Sequence, residues 1–180
     1  MMFEPFKPFV PSAFQIKFAT LKWEIEAAAA LRRSVFCEEQ KIFERDDRDA
    51  IDDVAIAIVA LSMLGVGADS VAGTVRIHEP EPGVWWGSRL AVAADYRSVN
   101  TLGGSLIRLA VSSAHARGCE LFLAHVQAQN VPLFRRMHWR SVEEIDIHGR
   151  PHHRMEADLN FYPPFPAPEI GFVALPRKVA

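Results

Sequence analysis

Residues 89–118, RLAVAADYRSVNTLGGSLIRLAVSSAHARG, hold the densest set of side chains whose spacing has chemical meaning. A strand is expected to end near Ala93. A loop carrying Arg97, Ser98, Val99 and Asn100 then leads through Gly103, Gly104 and Ser105 into a helix. The N–H groups of a helix's first turn lack intrahelical acceptors and sit at the positive end of its dipole. Glycine lets that backbone approach phosphate oxygens and Arg97 adds a full charge, so a diphosphate fits such a turn. The same glycines also suit a plain turn. No Lys-Ser/Thr pair follows them, which excludes a P-loop. No acidic residue with the rest of the glycine spacing completes a dinucleotide site.

The elements that must position this loop are readable from periodicity. Phe14–Ala19 alternates as a strand. Leu21–Gln40 reads as a helix, with Thr20 as N-cap and Glu24 and Glu26 near its start. Val54–Leu64 and Val71–His78 form a hairpin around the turn-like LGVGADS, and Val84–Ala93 is a further strand. Leu102–Ala116 carries a helical apolar stripe, stopped by Gly118. Leu121–Ala128 is a strand, and Asn130–His138 a short helix with Asn130 as N-cap and Pro132 in its first turn. Val142–Ile147 and Arg154–Leu159 flank HGRPHH as a last hairpin. Segment 84–128 is thus strand–helix–strand, which predicts a parallel pair inside a layered α/β domain, with ligands at the carboxyl ends of those strands.

Three segments taken together resemble the GNAT superfamily of acyl-CoA-dependent N-acyltransferases. The loop resembles the family's V-x-x-x-Y-R-G-x-G-I-G-x-x-L-I stretch at Val92, Tyr96, Arg97, Gly103, Leu106 and Ile107. VQAQNVPLFRRMHW, 126–139, is similar to the following motif at Asn130, Phe134 and Trp139. LRRSVFCEEQKIF, 31–43, is similar to the R-x-x-V-F-x-x-E-Q signature of one GNAT branch, and the bacterial group that accompanies nitrilase gene clusters is the nearest subgroup. The resemblance covers roughly residues 14–160. It implies a mixed, mostly antiparallel sheet with a central splayed parallel strand pair, flanked by helices. It departs from the family at three points: Thr101 replaces the first glycine after one extra residue, His138 replaces a glycine, and Phe134 replaces the tyrosine that protonates the leaving thiolate.

The resemblance also implies a reaction: an amine attacks the thioester of acetyl-CoA directly, in a ternary complex. Leu90, Ala91 and Val92 would pair with the pantetheine arm like an added strand, and the Val92 N–H would polarise the thioester carbonyl. Arg97, Ser98, Val99, Asn100, Gly103, Gly104 and Ser105 would hold the diphosphate, with Asn130 and Phe134 beside the arm. The family's usual base is a carboxylate on the fourth strand, and VWWGSRLAVA has none. The candidates are Glu38 and Glu39 on the first helix, with Glu39 in the EQ signature the first choice, His78 and Glu79 at a strand end, and His125 on strand 121–128. Plainer alternatives are a solvated helix face or a helix-to-loop contact for Glu38 and Glu39, a core histidine for His125 and a turn residue for Glu79.

Composition narrows the rest. The chain has 180 residues, 49% of them apolar, with 12 Phe and 4 Trp, enough for one folded domain. Twenty Lys and Arg against 22 Asp and Glu give a net charge of -2, which disfavours a nucleic-acid partner. No segment reads as a leader or membrane span, and two cysteines, Cys37 and Cys119, fit a reducing cytoplasm. Residues 1–13 and 163–180 read as Pro- and Phe-rich arms around an acyltransferase domain at 14–162. The arms lie on the domain surface or cross to a second subunit of a homodimer. ERDDRDAIDD, 44–53, is a solvated loop or a guide for a cationic amine. His148, His152 and His153 flank a turn without metal-site spacing, so no metal is expected. Trp85 and Trp86 point to opposite faces of their strand, one of them available to line a pocket. The expected activity is acetylation of a small-molecule amine. The alternatives are a longer-chain acyltransferase of the autoinducer-synthase type and a non-catalytic acyl-CoA-binding module.

Overall fold

The computed structural model describes residues 11, 13–65, 67–99 and 101–176. The N-terminal arm, apart from Pro11 and Ala13, and Asn100 lie outside the described residues. The strands are β1 (Phe14–Phe18), β2 (Ile56–Leu64), β3 (Gly67–Glu81), β4 (Val84–Val92), β5 (Leu121–Gln127), β6 (Trp139–Ile147), β7 (Arg150–Ala157) and β8 (Phe172–Ala174). The helices are α1 (Lys22–Arg33), α2 (Leu102–Ala116) and α3 (Val131–Arg136). One eight-stranded sheet runs β6-β7-β5-β4-β3-β2-β1-β8. Every pairing is antiparallel except β4 with β5.

The main core lies between the sheet and α2. Leu102, Leu106, Leu109, Ala110, Val111 and Ala114 form its buried stripe, and Trp85 and Phe122 meet it from β4 and β5. The helix stops before Gly118, whose φ of +88° an L side chain rarely adopts. The opposite face of the sheet carries α1 and the segment after it. Trp86 points there, opposite Trp85, and Val35 and Phe36 pack on Ala91.

The helix expected over Leu21–Gln40 ends earlier. After Arg33 the chain widens into a π-helical turn over Ser34–Glu39, in which Gln40 N–H donates to Val35 O at 2.9 Å. Val35 and Phe36 are both buried on this turn and pack on Ala91 of β4. Thr20 is not the N-cap. The Glu24 carboxylate turns back to accept from the N–H groups of Thr20 and Leu21 and pairs with Lys17 Nζ at 2.8 Å. Burial pushes the Glu24 carboxyl up, but these bonds outweigh it and hold it below the usual carboxylate range.

The last hairpin is tighter than expected. His148 (φ +53°) and Gly149 (φ +71°) make a two-residue turn of the left-handed kind that matches strand twist. His152 and His153 therefore lie within β7 rather than at the turn. Beyond Ala157 the tail folds back over its own chain. Phe165 N–H donates to Ser112 O at 3.0 Å, His115 Nδ1 lies 2.6 Å from Tyr162 O, and β8 pairs with β1. At Gly171 the tail passes so close to β1 that a Cβ would sit 1.7 Å from Ile16 O. No helix among the described residues is long and apolar enough to cross a membrane.

Candidate functional site

The parallel pairing of β4 with β5 runs only from Val84–Gly87 to Leu121–Ala124. Past that point β4 keeps β3 and β5 keeps β7, while their facing edges part. A bulge in β4 accompanies the split. Thr74 pairs with Ala91 and Arg76 with Ser88, so β4 carries one extra residue, and Arg89 takes φ +56°. Such a bulge re-aims side chains and adds twist. Here it turns both Ser88 and Arg89 toward the α1 face, where they bond Arg76 and Asp47.

The backbone at the mouth of the gap follows from register. Gly73 pairs with Val92, and Ala93 N–H donates to Ala72 O at 2.8 Å. Val92 is thus in a non-hydrogen-bonded pair, and its own N–H and C=O face the gap. The carbonyl accepts from Arg97 Nε at 3.1 Å. Beyond it a single 3₁₀ turn, Ala94–Tyr96, and the turn at Arg97–Ser98 deliver the chain to the start of α2. Thr101 is the N-cap and makes no side-chain cap bond. Leu102 N–H donates to Val99 O at 3.3 Å and Ser105 N–H to Thr101 O at 2.9 Å, so among the described residues the N–H groups without an acceptor in this turn are those of Gly103 and Gly104. A Cβ at Gly103 would meet nothing nearer than Leu133 at 3.9 Å, and at Gly104 nothing nearer than Met137 at 3.5 Å. Nothing in the chain itself requires glycine there, and the bare turn suits a ligand that needs the backbone close.

A cleft of about 550 Å³ runs through the gap. Of the sequence candidates, Leu90, His125, Asn130 and Phe134 line it. Ala91 is buried under Val35 and Phe36, and Val92 packs its side chain on the main core. Glu39 stands outside the cleft and bonds Arg97 Nη2 at 2.6 Å, so two residues 58 apart in sequence meet across the end of β4. Glu79 also lies outside it, accepting from Gly83 N–H at 2.8 Å in the β3–β4 turn. His125 sits on the cleft wall, its ring 4.8 Å from that of Trp86. Burial, with His152 and Arg154 nearby, holds its pKa below the ordinary histidine value. His78 also lines the cleft; its Nδ1 is buried without a partner, and burial beside Arg76 lowers its pKa. Both shifts favour the neutral imidazole.

The acidic run 44–53 is divided: Glu44, Asp46 and Asp53 are exposed to solvent, while its other three acids are paired. Asp47, Asp49 and Asp52 interlock with Arg32, Arg76 and Arg89. Arg32 reaches Asp47 at 2.7 Å and Asp52 at 2.6 Å; Arg76 reaches Asp49 at 2.7 Å and Asp52 at 2.8 Å; Arg89 reaches Asp47 at 3.0 Å and Asp49 at 3.2 Å. The network pins the loop over the cleft, where Asp49 and Ile51 line the wall. Nothing in the linear sequence pairs these acids with arginines on α1, β3 and β4. The sequence also carried no sign that Gln40 of the EQ pair would bond Gln127 at 2.9 Å across the open end of the gap. His152 lines the cleft with its Nδ1 2.8 Å from Arg150 O, while His153 turns to Ser141 at 2.7 Å, so the adjacent pair is split between two environments.

Neither tyrosine reaches the cleft. Tyr96 packs edge-on against Phe14, ring centroids 5.7 Å apart. The tail does bring Tyr162 back, but its hydroxyl donates to Met137 O at 2.5 Å and accepts from Trp139 Nε1 at 3.0 Å. Phe134 occupies the wall and packs on Trp139 at 5.0 Å.

Residues 24–139 match the model of the acetyltransferase (GNAT) family. No curated protein matches the chain. Among solved structures it is similar to a candidate N-acetyltransferase from Lactobacillus plantarum, with TM-score 0.71, 24% identity and coverage of 80% of this chain and 97% of that one. It is also similar to Escherichia coli ElaA, with TM-score 0.66, 19% identity and coverage of 81% and 98%. TofI, solved in a ternary complex with an inhibitor and MTA, aligns with TM-score 0.60, 20% identity and coverage of 85% and 97%. Likeness at these identities speaks for the fold.

Proposed function

Because the chain belongs to the acetyltransferase (GNAT) family, we propose that it transfers the acyl group of acetyl-CoA to the amine of a small molecule by direct attack in a ternary complex. The observation that carries this reading is the opening between β4 and β5, with the Val92 peptide facing it and the Gly103–Gly104 start of α2 beyond its mouth. A diphosphate at the N–H groups of Gly103 and Gly104 and at Arg97 aims the pantetheine arm along Leu90–Val92, past Asn130 and Phe134, with the thioester at the split. The Val92 N–H donates to the thioester oxygen as negative charge develops there.

Of Glu39, His125 and Glu79, we assign the base to His125, because it lines the cleft as a neutral imidazole. It takes a proton from the acceptor ammonium. The free amine then attacks the carbonyl carbon; the C–N bond forms, the C–S bond breaks and the nitrogen gives up its second proton to solvent, leaving a neutral amide and the CoA thiolate. With no tyrosine in the described cleft wall, solvent protonates that thiolate; positioning supplies most of the acceleration. Glu39 acts on this reading through Arg97, holding the guanidinium over the Val92 carbonyl. A cytoplasmic setting, with Cys37 and Cys119 both free, and a homodimer belong to the same proposal.

The test is calorimetric binding of acetyl-CoA, followed by release of free CoA thiol with a panel of amines. Binding without release from any amine favours a non-catalytic acyl-CoA module. One observation favours a longer acyl chain as a second reading. The cleft continues beneath the sheet between Ile107, Ala110, Val111, Phe122 and Trp139, all apolar and all within the core. A higher kcat/KM with hexanoyl-CoA than with acetyl-CoA selects it.

A further inference from the structure

The α1-face half of the cleft, where the acceptor must enter, contains charges that are already spent. Arg76, Arg89 and Asp49 are the charged groups on its described wall, histidines aside. Each is bonded within the network of three arginines and three aspartates. Arg89 is engaged on its face as well, its guanidinium carbon 4.7 Å from the centre of the Phe43 ring. No carboxylate there is free to receive a second ammonium, and no guanidinium is free to receive a carboxylate. An acceptor carrying either would bury an unpaired charge.

Beside these charges stand neutral polar groups, among them Gln40, His78 and Ser88, and a set of flat aromatic rings. Trp86 tilts against His125, with ring centroids 4.8 Å apart, and Phe43 meets His148 edge-on at 5.3 Å. Phe36 and Ile42 add apolar surface beside them. Aromatic walls favour a flat ring, which gains both area burial and edge or face contacts.

We propose that the acceptor is an arylalkylamine: an aromatic ring held among Trp86, Phe43 and His148, on a short arm that ends in a single reacting amine and bears no other charge. The inference rests on the acyl-transfer reading and names the acceptor for the same cleft. Selection works chiefly by exclusion, because rejecting an analogue with one extra charge costs the protein nothing that the correct acceptor needs.

The experiment compares 2-phenylethylamine with phenylalanine, which adds only a carboxylate, and with spermidine, which adds ammonium groups. Acetyl-CoA is the donor, and CoA thiol release is the readout. The expected kcat/KM for 2-phenylethylamine exceeds both others at least a hundredfold. Trp86→Ala is expected to raise its KM at least tenfold while the calorimetric Kd of acetyl-CoA is unchanged. Phe43→Ser repeats the measurement on the other wall in case the first variant folds poorly. Equal or better turnover of phenylalanine or spermidine overturns the inference and leaves the acyl-transfer reading standing. So does an unchanged KM in both variants. Failure of acetyl-CoA to bind the wild-type protein sinks both.

Discussion

Replacing Asp47 by Asn should unfold the protein at markedly lower temperature and loosen the acceptor wall. Asp47 is 2% exposed and accepts from Arg32 Nε and Arg89 Nε through the same oxygen, while its main-chain carbonyl accepts from Arg89 Nη2. Asparagine keeps the shape and the carbonyl but removes the charge, leaving three arginines facing two aspartates. Removing one partner from a buried ion pair costs about 3–5 kcal/mol. Here each arginine keeps another carboxylate, Arg32 with Asp52 and Arg89 with Asp49. Their side chains are also 12% and 19% exposed, so solvent screens part of the imbalance. The low end applies, about 3 kcal/mol. At roughly 2–4 °C per kcal/mol for a chain of this size, Tm falls by about 6–12 °C. The matched control is Asp53→Asn. Its pair with Arg48 is 72% and 66% exposed, so it should cost well under about 1 kcal/mol. Thermal melts followed by circular dichroism read both variants in one buffer. A Tm shift for Asp47→Asn no larger than that of the control would refute the claim that the network is a buried, interlocked unit. Acid sharpens the test. Hydrogen bonds from Arg76 hold Asp49 below the usual carboxylate range; at Asp52 burial pushes up, but the bonds from Arg32, the Asp49 N–H and Arg76 win. Both acids are therefore easier to protonate unfolded than folded. Their contribution is complete above the ordinary value of 3.8 and drains away as pH falls below it.

Three further outcomes follow from the site. Arg97→Ala should weaken acetyl-CoA binding about tenfold, the value of one charge-assisted contact, with little change in Tm, because the Arg97–Glu39 pair is exposed; unchanged affinity by calorimetry would remove Arg97 from the cradle. With His125 as base, kcat/KM should rise with pH through an inflection below 6.5, since the folded pKa is depressed, and His125→Gln should abolish that inflection together with most of the rate. Gly171→Ala should detach β8, because the new methyl would overlap Ile16 O at 1.7 Å in a backbone with φ +68°; faster amide exchange confined to β8 and β1 is the readout.

Local chemistry is written along the chain, and it was legible. The apolar stripe at 102, 106, 109 and 110 fixes α2 and which face it buries. The glycine pair after Arg97 marks where α2 begins, and its N–H groups have no acceptor among the described residues. The strand–helix–strand order forces β4 and β5 parallel. Long-range pairing decided the rest. Arg32, Arg76 and Arg89 come from α1, β3 and β4, and only the packed sheet brings them onto the aspartates of 47–52. Glu39 was readable as a carboxylate in a motif, but that its partner would be Arg97, 58 residues away, depends on where the π-helical turn ends. A sequence states which groups a chain carries and how each short segment turns. Whether a given charge is spent or free is set by neighbours that loop closure brings from elsewhere, so the chemistry left over in the cleft was decided only by the tertiary fold.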